Sequence, residues 1–148
     1  MLKTIPPLIT SELLTVLAEM GHGDDLVIVD RNFPAAAVAG CTTSGVLIQL
    51  AGCDTTEASR AILSLLPLDS FVDKPVSRMA VVDDFDAVLD VHQEVQQVVN
   101  EAEGREIPIV PLERFAFYEA AKRCYAVVRT TDARPYANFV FKKGVVFD

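Results

Sequence analysis

Four short apolar runs, Leu26-Val27-Ile28-Val29, Val46 to Leu50, Met79 to Val82 and Ile107 to Val110, alternate along the chain with segments of helical periodicity. Runs of this length, rich in β-branched residues and lacking polar alternation, suit strands covered on both faces. The intervening stretches are amphipathic. After the candidate caps Thr10 and Ser11, Leu13, Leu14, Leu17 and Met20 recur at helical spacing until Gly21 stops the pattern. Asp54 with Glu57 has the form of a capping box, opening a helix with Ala58, Ile62, Leu65 and Leu66 that Pro67 closes. Val88, Val91, Val95, Val98 or Val99, and Ala102 mark a longer helix with Glu94, Gln97 and Glu101 outward, and His92 falls on its apolar stripe as a packing residue with one satisfied nitrogen. A last helix with Phe115, Tyr118, Ala121 and Tyr125 is entered near Glu113.

Asn32-Phe33-Pro34 and the small residues after it predict an ordered loop, since Pro34 disfavours helical geometry at Phe33. The run at Ile107 is expected to stop at Pro111. Tyr125 to Thr130 and Tyr136 to Lys142 predict two final strands, joined antiparallel by a polar turn at Thr131-Asp132-Ala133. Helices and strands thus alternate until a terminal pair, which predicts a single three-layer α/β/α domain over residues 1–148 with a mixed β-sheet.

Thirteen basic and twenty-one acidic residues leave a net charge of −8. Such a surface repels phosphate backbones and anionic membranes, so no nucleic-acid or membrane partner is expected and a neutral ligand is favoured. The apolar runs fall far short of the roughly 18 residues a membrane helix needs. The opening Met-Leu-Lys-Thr-Ile-Pro-Pro lacks the apolar core of a secretory signal, and a cytoplasmic protein is expected. Cys41, Cys53 and Cys124 are odd in number and have no CxxC spacing, which predicts buried free thiols and neither a disulfide framework nor a metal site.

Few residues stand out as chemistry. His22, one of two histidines, lies between Gly21 and Gly23. Its imidazole can accept and donate a proton near neutral pH, and the flanking glycines allow a ligand close approach; the glycines serve equally well simply to end a helix, with His22 at its C-terminal dipole. Asp30 closes the first apolar run, where open α/β sheets gather ligands; it can accept hydrogen bonds from sugar hydroxyls or simply cap the next turn. An extended Tyr136-Ala137-Asn138 would send phenol and amide to one face, as ligand contacts or as a cross-strand Tyr packed beside a solvated Asn, and Pro135 before them suggests that this strand starts at a sheet edge or a sheet boundary. Arg114 sits in the first helical turn, where a positive charge opposes the macrodipole; ligand binding or an ion pair with Glu113 or another acid would account for it. No G-x-S-x-G, P-loop or G-x-G-x-x-G motif occurs.

Together, Met20-Gly21-His22-Gly23-Asp24, Asp30 with Asn32-Phe33-Pro34-Ala35, Leu66-Pro67-Leu68-Asp69-Ser70, Glu113-Arg114-Phe115-Ala116-Phe117-Tyr118-Glu119 and Tyr136-Ala137-Asn138 followed by Lys143-Gly144-Val145 resemble the L-fucose mutarotase branch of the ribose pyranase and fucose mutarotase family, from Leu2 to Val146. The resemblance implies a cofactor-free isomerase that interconverts the α and β anomers of a free monosaccharide. It implies His22 as proton donor and Asp30, Arg114, Tyr136, Ala137 and Asn138 as sugar-binding residues. It also implies a homo-oligomeric ring, commonly a decamer of two stacked pentamers, with sites near subunit boundaries. The pyranase branch usually carries histidine where this chain has Arg114, which favours fucose over ribose. The chain departs from the pattern at Ile48-Gln49-Leu50-Ala51-Gly52, where Ile-Arg-Ala-Asp-Gly is common, and between Asp83 and Glu106.

A regular strand over residues 26 to 29 would hold His22 and Asp30 more than about 13 Å apart. Either the Gly21 to Asp25 loop bends back over the strand, or a subunit boundary unites the two; a ring favours the boundary. Ribose pyranase activity and non-catalytic sugar binding are the competing readings.

Overall fold

Leu26, Val27, Ile28 and Val29 are completely buried and form the centre of the molecule as strand β1 (Asp25–Val29). The structure, a computed structural model, describes all residues from Met1 to Asp148. Five further strands flank β1: β2 (Leu47–Gln49), β3 (Val76–Met79), β4 (Ile109–Leu112), β5 (Ala126–Arg129) and β6 (Phe139–Lys142), in the order β2-β5-β1-β6-β3-β4. Only β6 runs against the others, antiparallel to both β1 and β3.

The side-chain period of two sends Leu26 and Ile28 to one face of the sheet and Val27 and Val29 to the other. On the first face they join Leu13 and Val16 of α1 (Ser11–Glu19), Ile62 of α3 (Thr55–Leu63) and Val95 of α4 (Asp90–Glu103). On the second they pack with Val38 of α2 (Ala35–Ala39) and Phe117 of α5 (Arg114–Lys122). This is the three-layer mixed architecture expected from the alternation. The helix starts follow the sequence signals: Thr10 accepts from the Leu13 amide at 3.1 Å, and Asp54 and Glu57 accept reciprocally from each other's amides at 2.7 and 2.9 Å.

The terminal strands run in opposite directions but do not pair. β1 lies between them, with Leu26 aligned to Ala126 of β5 and to Phe141 of β6. A strand apolar on both faces fills the middle of a sheet and needs a ladder on each edge, so β1 displaces the local hairpin. β6 is consequently an interior strand, so of the two readings of Pro135, a sheet edge or a sheet boundary, the edge does not hold. Three other expectations shift. The strand expected at Met79 to Val82 forms at Val76–Met79, because its ladder ends where β6 begins, at Arg78 opposite Phe139. β4 includes Pro111 and does not end before it; β4 is the outer strand, where a missing amide is tolerated. The alanine-rich stretch after Pro34 forms α2 instead of a loop, in keeping with the high helix propensity of alanine. Cys53 and Cys124 are buried free thiols, but Cys41 is exposed.

The reversed β6 brings its own start beside the carboxyl ends of β1, β3 and β4. The connection from β5 to β6 crosses over the end of β1, with the Arg31 amide donating to the Asp132 carbonyl at 3.1 Å. Arg134 anchors it: Nε and Nη2 donate to the two Asp132 carboxylate oxygens at 3.0 and 2.9 Å, and Nη1 donates to Glu94 at 2.8 Å. Burial would raise the Asp132 carboxyl, but bonds from Arg134 and the Thr55 amide outweigh it and pull it down to about 2. At the opposite end of the sheet, Gly144 passes so close to the 67–69 segment that an added Cβ would stand 2.5 Å from the Leu68 carbonyl oxygen.

Two stability predictions follow from these anchors. Because the folded Asp132 carboxyl lies below its ordinary value, its stabilisation is complete above about pH 4 and fades as pH falls toward 2. Arg134→Met should therefore lose about 1–3 kcal/mol at pH 7, with its deficit relative to the parent narrowing over that acidic window in urea melts. Gly144→Ala should cost about 1–3 kcal/mol through forced displacement of the 67–69 backbone, read in the same assay.

Candidate functional site

Asp30 follows directly on β1 and is buried, as is Asn138 just before β6. The two side chains and one amide close a reciprocal pair: the Asp30 N–H donates to Asn138 Oδ1 at 2.9 Å, and Asn138 Nδ2 donates to Asp30 Oδ2 at 3.1 Å. Asp30 Oδ1 also accepts from the Asn32 and Phe33 amides at 2.8 and 3.0 Å. The turn-capping and ligand-facing readings of Asp30 are thus compatible, because a carboxylate offers about four acceptor positions and these bonds use three. Burial raises the Asp30 carboxyl above its usual value, while the hydrogen bonds oppose the rise.

Asp30 and Asn138 open into a cavity of about 180 Å³, together with Tyr136, Arg114, Tyr118 and Phe33. It lies at the carboxyl ends of the parallel strands, where such sheets bind ligands. Tyr136 and Asn138 share it as expected, but not through extended backbone: Tyr136 has φ +62°, in the left-handed region. Its phenol oxygen accepts from the Val82 amide at 3.3 Å, leaving the phenol hydrogen for another acceptor. Ala137 stands apart from the cavity lining, completely buried in the core, with its carbonyl accepting from Thr55 Oγ1 at 3.1 Å.

Arg114 makes no ion pair with Glu113. That carboxylate caps α5, accepting from the Phe115 and Ala116 amides at 2.9 and 3.1 Å, while the guanidinium lies 4.6 Å from the Phe115 ring centroid. Arg114 and Val82 also border an adjoining cavity of about 420 Å³ that reaches exposed Phe85 and Phe115. No group of three or more His, Cys, Asp or Glu side chains is arranged to hold a metal ion. His92 is buried as expected, but both of its nitrogens, not one, are hydrogen-bonded.

His22 lies at the opposite end of β1 and is absent from the cavity lining. The loop carrying it does not fold back over the strand: the Gly21 amide donates to Asp24 Oδ2 at 2.7 Å, and the Gly23 amide to the Lys143 carbonyl at 2.9 Å. Instead the imidazole Nε2 meets Asp69 Oδ1 at 3.1 Å, with the His22 side chain 47% exposed and that of Asp69 only 4%. The Phe71 ring lies 5.2 Å from the imidazole. Asp69 is held below the ordinary carboxylate range, first by the Phe71 amide and then, against the effect of burial, by His22. An ionised Asp69 orients the ring through Nε2 and leaves Nδ1 free of partners within the chain, the arrangement of a proton-transfer group with its orienting acid.

Sequence reasoning did not assign Asp69 a role. It lies 47 residues from His22, and its only local signal is an acid following the helix-stopping Leu-Pro-Leu stretch. Both ends of β1 also expose apolar side chains: Phe71, Val146 and Phe147 near His22, and Val82, Phe85 and Phe115 near the cavity.

The reciprocal pair has a direct test. Asn138→Asp would set two carboxylates about 3 Å apart, where both cannot ionise. One folded-state pKa rises above its unfolded value, so stability should be greatest in acid and decline as pH rises from about 4 toward 8. Thermal melts across that range should show a steeper decline in the variant than in the parent, whose single Asp30 carboxyl is raised chiefly by burial.

Residues 3–146 match the RbsD / FucU transport protein family. A fucose mutarotase of Danio rerio is 42% identical over 147 residues, covering 98% of this chain and 94% of that protein. The crystal structure of the fucose mutarotase in complex with L-fucose from Streptococcus pneumoniae superposes with a TM-score of 0.88 at 39% identity, over 99% of this chain and 100% of that one. Bacillus subtilis RbsD complexed with D-ribose is more distant, with a TM-score of 0.70 and 25% identity over 99% and 100% of the two chains. With sequence matched almost from end to end and the same mixed sheet, this chain belongs to the RbsD / FucU family.

Proposed function

We propose that this chain is a sugar isomerase that interconverts the α and β anomers of L-fucose, or of a closely related free monosaccharide, by acid–base ring opening and reclosure. The observation that carries the reading is the cavity in which the Asp30–Asn138 pair, the Tyr136 phenol and the Arg114 guanidinium converge. These groups offer acceptors and donors on several sides of a small polyol, and the aromatic walls of Phe33 and Tyr118 suit its apolar C–H faces.

Anomer exchange requires a proton delivered to the ring oxygen as the C1–O5 bond breaks, and a proton withdrawn from the anomeric hydroxyl as the C1 carbonyl forms. Rotation about C1–C2 and reversal of both transfers closes the other anomer. Protonated His22 is the donor to the ring oxygen, oriented by Asp69 through Nε2 and transferring from Nδ1, and water or a second residue takes the anomeric proton. Asp30, Arg114, Tyr136 and Asn138 hold the hydroxyls so that the open aldehyde stays bound until it recloses.

The imidazole and the cavity lie at opposite ends of β1, so the working site takes His22 from one subunit and the cavity from its neighbour. Two different exposed apolar patches at the two ends favour a heterologous contact, which closes into a ring; a decamer of two stacked pentamers is the assembly we assign. Three free cysteines suit a reducing cytoplasm. Arg114, and the greater similarity to the L-fucose-bound structure than to the D-ribose-bound one, favour fucose over pyranose–furanose exchange of ribose.

NMR saturation transfer between anomers should show acceleration with L-fucose and less with D-ribose; no acceleration with any free sugar would refute the enzyme reading and leave sugar binding alone. His22→Ala should slow exchange by about 10²–10⁴-fold while sugar affinity stays near that of the parent. A composite site adds a sharper outcome: inactive His22→Ala and Asp30→Ala subunits, dissociated and reassembled together, should regain part of the activity. Failure to regain any in confirmed mixed rings would place both groups in one subunit.

A further inference from the structure

His92 lies in the first turn of α4, within the Asp83 to Glu106 stretch where this chain departs from the family pattern, and no part of the mechanism above uses it. It is 2% exposed, yet neither nitrogen is idle. The Leu89 amide donates to Nδ1 at 3.0 Å, and Nε2 lies 3.0 Å from the Tyr136 carbonyl oxygen. An amide cannot accept and a carbonyl cannot donate, so Nδ1 is bare and Nε2 carries the hydrogen: both bonds require one neutral tautomer. The ring is further fixed edge-on to Phe139 at 5.9 Å between centroids.

The carbonyl that His92 holds belongs to a residue with an unusual backbone. Tyr136 has φ +62°, uncommon for a bulky side chain and persistent only where its surroundings over-determine it. From that conformation its phenol reaches the sugar cavity and accepts from the Val82 amide. Val82 and Leu89 both lie in the connection between β3 and α4, and Arg78 Nη2 donates to the Ala87 carbonyl of the same connection at 3.0 Å. His92 thus ties the start of α4 to Tyr136, while the phenol ties Tyr136 back to the same connection.

We infer that His92 is a positioning residue for the sugar site: as the neutral Nε2–H tautomer it holds the Tyr136 backbone in the left-handed conformation that aims the phenol at the bound sugar. The inference rests on the sugar-isomerase reading for its consequence, but its geometry is measurable without a sugar. Burial lowers the His92 pKa, as does the nearby Arg78 charge, in agreement with a neutral ring.

Long-range ¹H–¹⁵N spectra of the parent, free of sugar, should show a bare Nδ1 and a protonated Nε2; the opposite tautomer or a histidinium at pH 7 overturns the inference. His92→Phe keeps an aromatic ring and removes both hydrogen bonds, and should weaken L-fucose binding by about 10-fold or more, raising KM with kcat nearly unchanged. His92→Gln, whose amide can replace both bonds, should restore affinity to within about 3-fold of the parent. In a Tyr136→Ala background, His92→Phe should cause no further loss, because the two residues act as one unit. Parent-like affinity in His92→Phe, or an equal loss in the Tyr136→Ala background, overturns the inference. If His92→Phe does not fold, the tautomer and the His92→Gln affinity decide it. A parent protein that binds and isomerises no sugar counts against the proposed function, and the tautomer spectra still judge the His92 geometry.

Discussion

The reciprocal bonding of Asp30 and Asn138 is the constraint on which the rest of the molecule's chemistry depends. It joins the end of β1 to the start of β6, the strand that runs the other way. A carboxylate so buried is tolerated because two backbone amides and one side-chain amide meet it, and their geometry leaves one acceptor direction toward the cavity. The same contact therefore finishes the sheet and lines the cavity at its end. Arg134, Asp132 and Glu94 extend this logic by pinning the connection that delivers Tyr136 and Asn138 to the cavity mouth.

The two ends of β1 carry different chemistry, and Leu26 to Val29 between them are completely buried. At one end a sheltered pocket of donors and acceptors suits a neutral polyol, in keeping with an acidic protein whose charge discourages phosphate-bearing ligands. At the other, a half-exposed imidazole is held by a buried carboxylate beside exposed aromatic rings. On the reading proposed above, His22 of one subunit meets the cavity of another, and assembly completes the site. Subunit association and catalysis would then be coupled without any moving part.

Much of this was legible residue by residue. Continuous β-branched runs mark strands buried on both faces, and the Asp54–Glu57 cap and the stop after Met20 mark helix limits, because these signals act over a few neighbouring positions. Glu113 was read as the entrance to α5 for the same reason. What local signals missed depended on distant partners. The terminal hairpin gave way to β1 between β5 and β6, since ladder pairing is settled by which strand most needs both edges covered. β3 formed three residues earlier than its most apolar run because the start of β6 limits its ladder. Asp69 was invisible as the partner of His22, and His92 as the partner of Tyr136, because hydrogen bonds across 47 and 44 positions leave no periodicity to read.

By itself the sequence determined the layered α/β class, most of the helices and strands though neither α2 nor the bounds of β3, β4 and β6, and the identities of the polar residues at strand ends, all consequences of side-chain patterning and short-range capping. Only the tertiary structure decided that Asp30 and Asn138 would clasp one another, that Tyr136 would adopt a left-handed backbone, and that His22 would stand a strand's length from the cavity. Those outcomes follow from strand order and direction, which are set when the whole apolar surface is buried at once, and no stretch of chain encodes them alone.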